Sequence, residues 1–218
     1  MRAIAFNEGL ESIATRAFYG SHLEKVELPA SLKNCGSLCF STVQRVIFNG
    51  DTLPKGFISA ITLDEFDSND GVEAVKVYLK DIGKTIYIPK QMSQIGIETA
   101  IFHLEGCSLA EADTYLFDSA YRFANVADSA FLAAMEECFT NNNEEAKEFL
   151  KKNSTRIVDK LLEEEDESGL ERISRLGVVS EEQLKRIGEL AERKEWAALS
   201  AYVMNQVDDS DDEDVFSL

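Results

Sequence analysis

Two stretches in the first half of the chain share one pattern of apolar and polar positions. Residues 4–18 read IAFNEGLESIATRAF and residues 26–40 read VELPASLKNCGSLCF, so the apolar positions recur after 22 residues. Each copy opens with alternating apolar residues, which is the period of a strand with one buried face, and then enters a turn. A repeat of this length buries its apolar face only against its neighbours, so the pattern predicts a solenoid.

Further copies of the pattern are less regular. A degraded third copy begins at Val46 and Phe48, and a partial fourth copy covers residues 86–97. The interval from 60 to 85 is out of period. Within this interval, residues 75–79 alternate between apolar and polar side chains just before the fourth copy. This pattern predicts that residues 75–79 and the strand of the fourth copy form a hairpin.

The pattern changes after residue 107, where a period of 3.6 residues replaces the alternation. Ser108, with Glu111 three residues later, predicts a capped helix that extends through about residue 122. Further helices are expected over 126–139 and 143–152. Helices this short are not stable alone in water, so they must pack against one another.

The last part of the chain continues the helical pattern and then becomes strongly acidic. Gly177 is a good C-cap for one short helix, and Ser180–Gln183 forms a capping box that opens another. Residues 208–218 read DDSDDEDVFSL, with six acids and no base, and we expect a disordered acidic tail there.

These patterns predict a mixed α/β fold, in which a short solenoid of parallel strands precedes an all-α helical-repeat domain. We assign residues 1–105 to the solenoid, residues 106–207 to the helical domain and residues 208–218 to the tail.

The four cysteines are interpreted through the repeat. A shift of 22 residues places Cys35 on Ile13 and Cys39 on Ala17, which makes both thiols small apolar core groups. A disulfide or a metal site are the alternatives, although no histidine follows at a ligand spacing. Free buried thiols are typical of a reducing compartment, so we expect a cytoplasmic protein.

The formal net charge of −18 is unevenly spread. Residues 1–103 carry 10 Lys and Arg against 12 Asp and Glu, whereas the remainder carries 12 against 28. Such a surface disfavours nucleic acids and anionic membranes, and is compatible with a basic partner or simply with solubility.

The chain has no apolar run long enough to span a membrane and no signal peptide at its start. The first repeat begins already at Ile4. We therefore expect either an atypical first repeat or a truncation upstream.

Nothing in the sequence predicts catalysis, a cofactor or a metal. His22 lies in a turn between repeats, and His103 follows Ile101 and Phe102, which we assign to the end of a strand. No nucleophile motif accompanies them, and phosphate-binding and dinucleotide-binding motifs are absent. The acids at 163–167 form an exposed run, which cannot raise a carboxyl pKa as a hydrolase pair requires. We therefore expect no enzyme.

The repeated motif resembles the BspA-like class of leucine-rich repeats. The motif reads strand–Pro–x–x–Leu–x–x–Ile–(x)3–Ala–Phe, and residues 4–18 and 26–40 match it best. This class occurs in many bacteria and some protists. The resemblance covers residues 1–103. It implies a curved solenoid of parallel strands that acts in adhesion or protein binding and has no catalytic residues.

Residues 157–207 are similar to a degenerate ankyrin-type helical repeat, with a Leu-Leu helix, then GLERISRLG, then a pair ending in ALSAYV. Such helical regions follow leucine-rich repeats in clostridial-type intracellular proteins. This resemblance also implies protein binding and indicates no particular partner.

Together these observations predict a non-catalytic protein–protein interaction module with an unidentified protein partner, which could be basic. The alternative is a structural or regulatory subunit that self-associates through its helical half. Exposed aromatic residues on one strand face would favour partner binding, and a symmetric apolar patch on the helical half would favour self-association. Phe48, Tyr78 and Tyr87 are the candidates for the strand face, and each could equally be a core residue.

Overall fold

The alternating segments of the first half form a five-stranded sheet. The computed structural model describes residues 2–67, 71, 74–110, 114–124 and 127–213. Its strands are β1 (Ala3–Ala5), β2 (Ser12–Ile13), β3 (Lys25–Leu28), β4 (Asn34–Cys35), β5 (Arg45–Phe48), β6 (Leu63–Asp64), β7 (Ala74–Leu79), β8 (Lys84–Pro89) and β9 (Gln91–Met92). The five-stranded sheet has the order β1-β3-β5-β7-β8, and two small sheets pair β2 with β4 and β6 with β9.

The strand pairing confirms the repeat. Strands β1, β3, β5 and β7 are parallel, and Ile4 lies opposite Val26, as the 22-residue shift requires. The same shift holds in the small sheet, where Ile13 lies opposite Cys35. Strand β8 runs antiparallel to β7, so the predicted hairpin is confirmed.

Alternate residues of the five strands point into one core. Val26, Val46, Val77 and Ile86 form a fully buried row across neighbouring strands. The apolar residues that follow the strands turn the chain over this row, which is why single strands of three to six residues are stable here.

Met1–Asn143 form the first of two compact units. One of its described helices lies between β5 and β6, and the others follow β9. They are α1 (Phe57–Ile61), α2 (Gln94–Leu104), α3 (Thr114–Asp118), a 3-10 helix (Ala120–Phe123) and α4 (Ala127–Asn141). Helix α2 corrects the sequence analysis, because Ile101 and Phe102 belong to a helix and not to the end of a strand. The side chain of Ser93 caps this helix by accepting a hydrogen bond from the N–H of Gly96.

The single helix predicted from Ser108 to residue 122 is also wrong. Ser108 forms an antiparallel bridge with Thr52, and helix α3 begins only at Thr114. The predicted cap residue Glu111 lies outside the described residues. The backbone here pairs instead with the segment after β5, where the N–H of Leu109 donates to the carbonyl oxygen of Asp51 at 2.7 Å.

The second unit covers Glu144–Leu218 and is helical where the structure describes it, whereas Met1–Asn143 form the first unit. Its helices are α5 (Glu144–Lys152), α6 (Ser154–Glu163), α7 (Glu167–Arg175), α8 (Glu181–Arg193) and α9 (Ala197–Glu213). The predicted capping box at Ser180 is confirmed, and Gly177 follows α7 with a positive φ of 64°.

Helix α9 extends to Glu213, so the helix includes the first six residues of the segment expected to be a tail; residues 214–218 lie outside the described residues. The mixed α/β class is confirmed. The domain limits at 105 and 207 stay predictions. Among the described helices, none has both the length and the apolar composition needed to cross a bilayer.

Candidate protein-binding surface

The face of the five-stranded sheet that points away from the core carries two rows of side chains. Because neighbouring strands are in register, residues of different strands line up across the sheet. The first row contains Ala3, Lys25, Arg45, Lys76 and Tyr87, and the second contains Ala5, Glu27, Ile47, Tyr78 and Thr85.

Three neighbouring positions of the first row are cations. Lys25, Arg45 and Lys76, which we name the cation row, are all exposed and lie on three adjacent strands. Strand spacing places their Cα atoms about 4.8 Å apart. The structure gives none of the three an ion pair within the described residues.

The second row is mixed in character. Ile47 is half-buried, and Tyr78 beside it on the next strand is 37% exposed. Glu27 lies on the other side of Ile47, on β3, and accepts a hydrogen bond of 3.2 Å from Nδ2 of Asn49. An apolar pair therefore lies next to the cation row.

The three residues expected on the strand face have different positions. Phe48 is fully buried and packs against Phe57 at a centroid distance of 6.4 Å, and Tyr87 is only 4% exposed. Both are thus buried, Phe48 in the core and Tyr87 beneath helix α4, so neither is an exposed residue of the strand face. Tyr78 is the one of the three at the surface, and its role in binding stays a prediction.

Tyr87 is held at the end of the cation row by three contacts. Its hydroxyl forms a 2.6 Å hydrogen bond with the hydroxyl of Thr140, and Nζ of Lys76 lies 5.7 Å from the centre of its ring. Its backbone N–H donates to the carboxylate of Glu137 at 2.9 Å. The last strand of the face is therefore fixed to helix α4.

Helix α4 closes the outer edge of β8. Ser129, Glu137 and Asn141 lie at multiples of four residues and so share one face of the helix. Oγ of Ser129 accepts from the N–H of Gln91, and Asn141 donates to the carbonyl oxygen of Thr85. Thr85 and Tyr87 belong to β8, whereas Gln91 is the first residue of β9. With Glu137 on Tyr87, two side chains of α4 thus bond to alternate residues of the edge strand β8, which prevents further strand pairing there.

Glu137 is fully buried in this contact. Burial raises the pKa of its carboxyl to about 7, against the hydrogen bonds from Asn141 and Tyr87, which favour the charged form. Asp118 raises this pKa further and Lys84 lowers it, and these two residues form an ion pair of 2.7 Å with each other.

Lys90 is a second buried ionisable residue. It is 1% exposed, and its Nζ donates to the carbonyl oxygens of Ile61 at 2.7 Å and Val43 at 3.2 Å. The side chain thereby joins the end of helix α1 to the loop before β5. The sequence gives little sign of this role, because a lysine just after Pro89 is also typical of an exposed turn.

The cysteines are free, as the core interpretation requires. Cys35 and Cys39 are buried, and hydrogen bonding with Cys39 together with burial raises the pKa of the Cys35 thiol. Glu105 lies nearby and accepts hydrogen bonds from the N–H groups of Gly56 and Ile58 at 2.7 and 2.8 Å. The described ranges contain no group of three acidic, His or Cys side chains that could hold a metal ion.

Two features of this surface were missed by sequence reasoning, although each has a signal. The strands that bear the cation row read KVEL, RVIF and KVYL, so a cation precedes a buried valine in each. The spacing of Ser129, Glu137 and Asn141 is likewise visible in the sequence of α4.

Comparison with known families agrees with the geometry of the sheet. A family described as the BspA type leucine rich repeat region matches residues 1–99 with six copies. The chain matches no curated protein and no solved structure in these comparisons. Leucine-rich repeats of this kind are typically non-catalytic and suggest a protein partner. The similarity of residues 157–207 to ankyrin-type repeats stays a prediction. Residues 1–99 therefore form a leucine-rich repeat region of the BspA type.

Proposed function

We propose that this protein is a non-catalytic protein-binding module and that the exposed face of its five-stranded sheet is the binding surface. The observation that carries the proposal is the exposure of Tyr78 beside Ile47 in the middle strands of that face. Tyrosine gives a large contact area with a polar end, and it is enriched among the residues that dominate binding energy.

The rigidity of the face supports the same proposal. Strand β5, which bears Ile47, is paired on both sides, and β8 is fixed to α4 through Tyr87 and Glu137. A surface that is ordered before binding loses little conformational entropy when a partner docks, so more of the contact energy appears as affinity.

The surroundings of His103 also favour binding over catalysis. His103 stacks on Phe123 at 5.9 Å between ring centres and meets the edge of Phe102 at 5.0 Å. These are packing contacts with aromatic rings. The free thiols fit a reducing compartment, and on this ground we propose a cytoplasmic location.

A capture experiment tests the proposal. The tagged protein and the variant Tyr78→Ser/Ile47→Ser are exposed to native lysate, and bound proteins are compared by mass spectrometry. Tyr19→Ser is the matched control, because Tyr19 is 58% exposed and lies outside the five strands. We expect a specific partner that the control retains and the double variant loses. Equal capture by both variants would contradict the proposal.

Self-association through the helical half stays a prediction, and no contact among the described residues favours it over partner binding. Light scattering measures the oligomeric state directly. A monomeric mass over a range of concentrations would exclude this alternative.

A further inference from the structure

The cation row is unusual for a sheet face. Like charges directly opposite each other on neighbouring strands destabilise a sheet, and here Arg45 has Lys25 on one side and Lys76 on the other. Three of the 10 basic residues in residues 1–103 are thus placed at adjacent positions.

Among the described residues, no acidic side chain forms an ion pair with the row. Within the five strands the one acidic residue is Glu27, which lies in the second row and bonds to Asn49. The fourth cation of these strands, Lys84, forms an ion pair with Asp118 at 2.7 Å. Just before the strands, Arg2 and Glu24 pair with each other at 3.5 Å. The five described strands thus present three exposed cations beside one acidic residue, Glu27, and this face keeps a net positive charge.

We propose that the cation row binds an extended acidic segment of a partner protein. This inference rests on the proposed function, because it names the chemistry of the partner that the same face recognises. The overall charge of −18 describes the whole chain, whereas Lys25, Arg45 and Lys76 set the local charge of the face.

The dimensions of the row fit such a segment. The outer two cations are two strand spacings apart, about 10 Å, and an extended peptide advances about 3.3 Å per residue. About four consecutive residues therefore span the row. The flexible Lys and Arg side chains reach carboxylates on both sides of the peptide, and the guanidinium of Arg45 can bind one carboxylate with two hydrogen bonds.

The second row adds specificity. Ile47 and Tyr78 lie two residues further along the same strands than Arg45 and Lys76, so they border the cation row on one side. An apolar side chain next to the acidic run would contact them. The expected ligand is therefore a run of Asp and Glu that contains one large apolar residue.

A nucleic acid is the less favourable occupant of this face. Three cations neutralise few phosphates, and the acidic remainder of the chain repels a longer polyanion. A short acidic peptide carries fewer charges in total and ends within the row. The experiment must therefore distinguish binding of a nucleic acid from binding of an acidic peptide.

The experiment uses the full chain and a fluorescein-labelled octapeptide of Asp and Glu around one Leu, with fluorescence anisotropy at low ionic strength. The control peptide has Asn and Gln in place of Asp and Glu. The protein variant is Lys25→Gln/Arg45→Gln/Lys76→Gln. A matched triple variant, Arg16→Gln/Lys33→Gln/Lys55→Gln, removes the same charge from exposed positions outside the five strands.

We expect the acidic peptide to bind and the amide peptide not to bind. Each exposed charge pair contributes modestly, so loss of all three cations should weaken binding by about tenfold or more, and the matched triple variant should weaken it less than about threefold. Added salt should weaken binding of the wild-type protein. Unchanged affinity of the cation-row variant, or equal loss in both triple variants, would overturn the proposal.

A single-stranded oligonucleotide tests the other occupant. If it binds more tightly than the acidic peptide and depends on the same three cations, the peptide proposal is overturned. If the peptide fails to bind while capture of a partner still depends on Tyr78 and Ile47, this inference fails and the proposed function stands. If both experiments fail, the sheet face is not a binding surface.

Discussion

The carboxylate of Glu137 accepts a 2.9 Å hydrogen bond from the backbone N–H of Tyr87, a residue that precedes it by 50 positions in the chain. Glu137 lies in helix α4, and Tyr87 lies in the last strand of the sheet. The contact ends the sheet on this side with a side chain instead of a further strand. It also fixes the strand that borders the proposed binding surface.

The stability of the protein should depend on pH through Glu137. Its folded pKa of about 7 lies above the ordinary 4.5, so the native state holds the proton more tightly than the unfolded state. The stabilisation is complete below about pH 4.5 and is lost as the pH rises through about 7. The free energy of unfolding should fall by about 3 kcal/mol through this one group.

Urea unfolding of the wild type and of Glu137→Gln, from about pH 5 to about pH 8.5, checks this prediction. Glutamine keeps an acceptor oxygen for the N–H of Tyr87 and does not titrate. The difference in unfolding free energy between the two proteins should change with pH in favour of the variant at high pH. A difference that stays constant would contradict the raised pKa.

Removing the central charge of the cation row should stabilise the fold. Arg45 has like charges on both neighbouring strands, and each such pair costs a few tenths of a kcal/mol. Arg45→Gln should therefore raise the free energy of unfolding by about 0.5 kcal/mol at low salt. Lys33→Gln, which loses an ion pair with Glu11, should not raise it. A clear loss of stability in Arg45→Gln would mean that its side chain is structural.

The close approach of successive repeats should make Gly36 sensitive to substitution. A Cβ atom at this position would lie 2.1 Å from the backbone nitrogen of Thr15. Because backbone cannot yield as a side chain can, Gly36→Ala should lower the free energy of unfolding by about 2 kcal/mol or more. The neighbouring exposed residue provides the control Ser37→Ala, which should change it by less than about 0.5 kcal/mol. Thermal unfolding measures both.

The thiols should react in an order set by their exposure. Cys107 is exposed, whereas Cys35, Cys39 and Cys138 are buried. Ellman's reagent should therefore label one thiol rapidly in the native protein and all four after denaturation, and Cys107→Ser should remove the rapid phase. Two thiols after denaturation without reductant would indicate a disulfide and would overturn the core interpretation.

The sequence predicts the structure of the repeat well where two copies follow the same 22-residue period. The 22-residue shift correctly places Cys35 on Ile13, because both positions must fill the same space in successive coils. The shift does not continue into the next strands. Val46 lies opposite Val77, 31 residues later, so the cation row could not be aligned from the period alone.

The errors in the helical assignments have a physical cause. Helix α2 exposes two large apolar residues, Ile95 and Phe102, while its other side is buried, so its apolar pattern is not confined to one face. At Ser108 a good local capping signal was overridden by pairing with Thr52. Tertiary contacts decided both cases, and local sequence does not record them.

Burial was the hardest property to predict at the candidate surface. Tyr78 and Tyr87 both lie on strands and both follow an alternating pattern, yet one is exposed and the other is covered by α4. The difference arises from a helix that begins 40 residues after Tyr87. A strand sequence cannot reveal what packs on its outer face.

Photo-crosslinking tests the central claim, that the sheet face binds a protein, most directly. Benzoylphenylalanine is introduced by the substitution Tyr78→benzoylphenylalanine, and by Tyr19→benzoylphenylalanine as the control at another exposed tyrosine. After irradiation in native lysate, we predict a discrete crosslinked protein from position 78 and none from position 19. No crosslink from position 78, or the same products from both positions, would contradict the account.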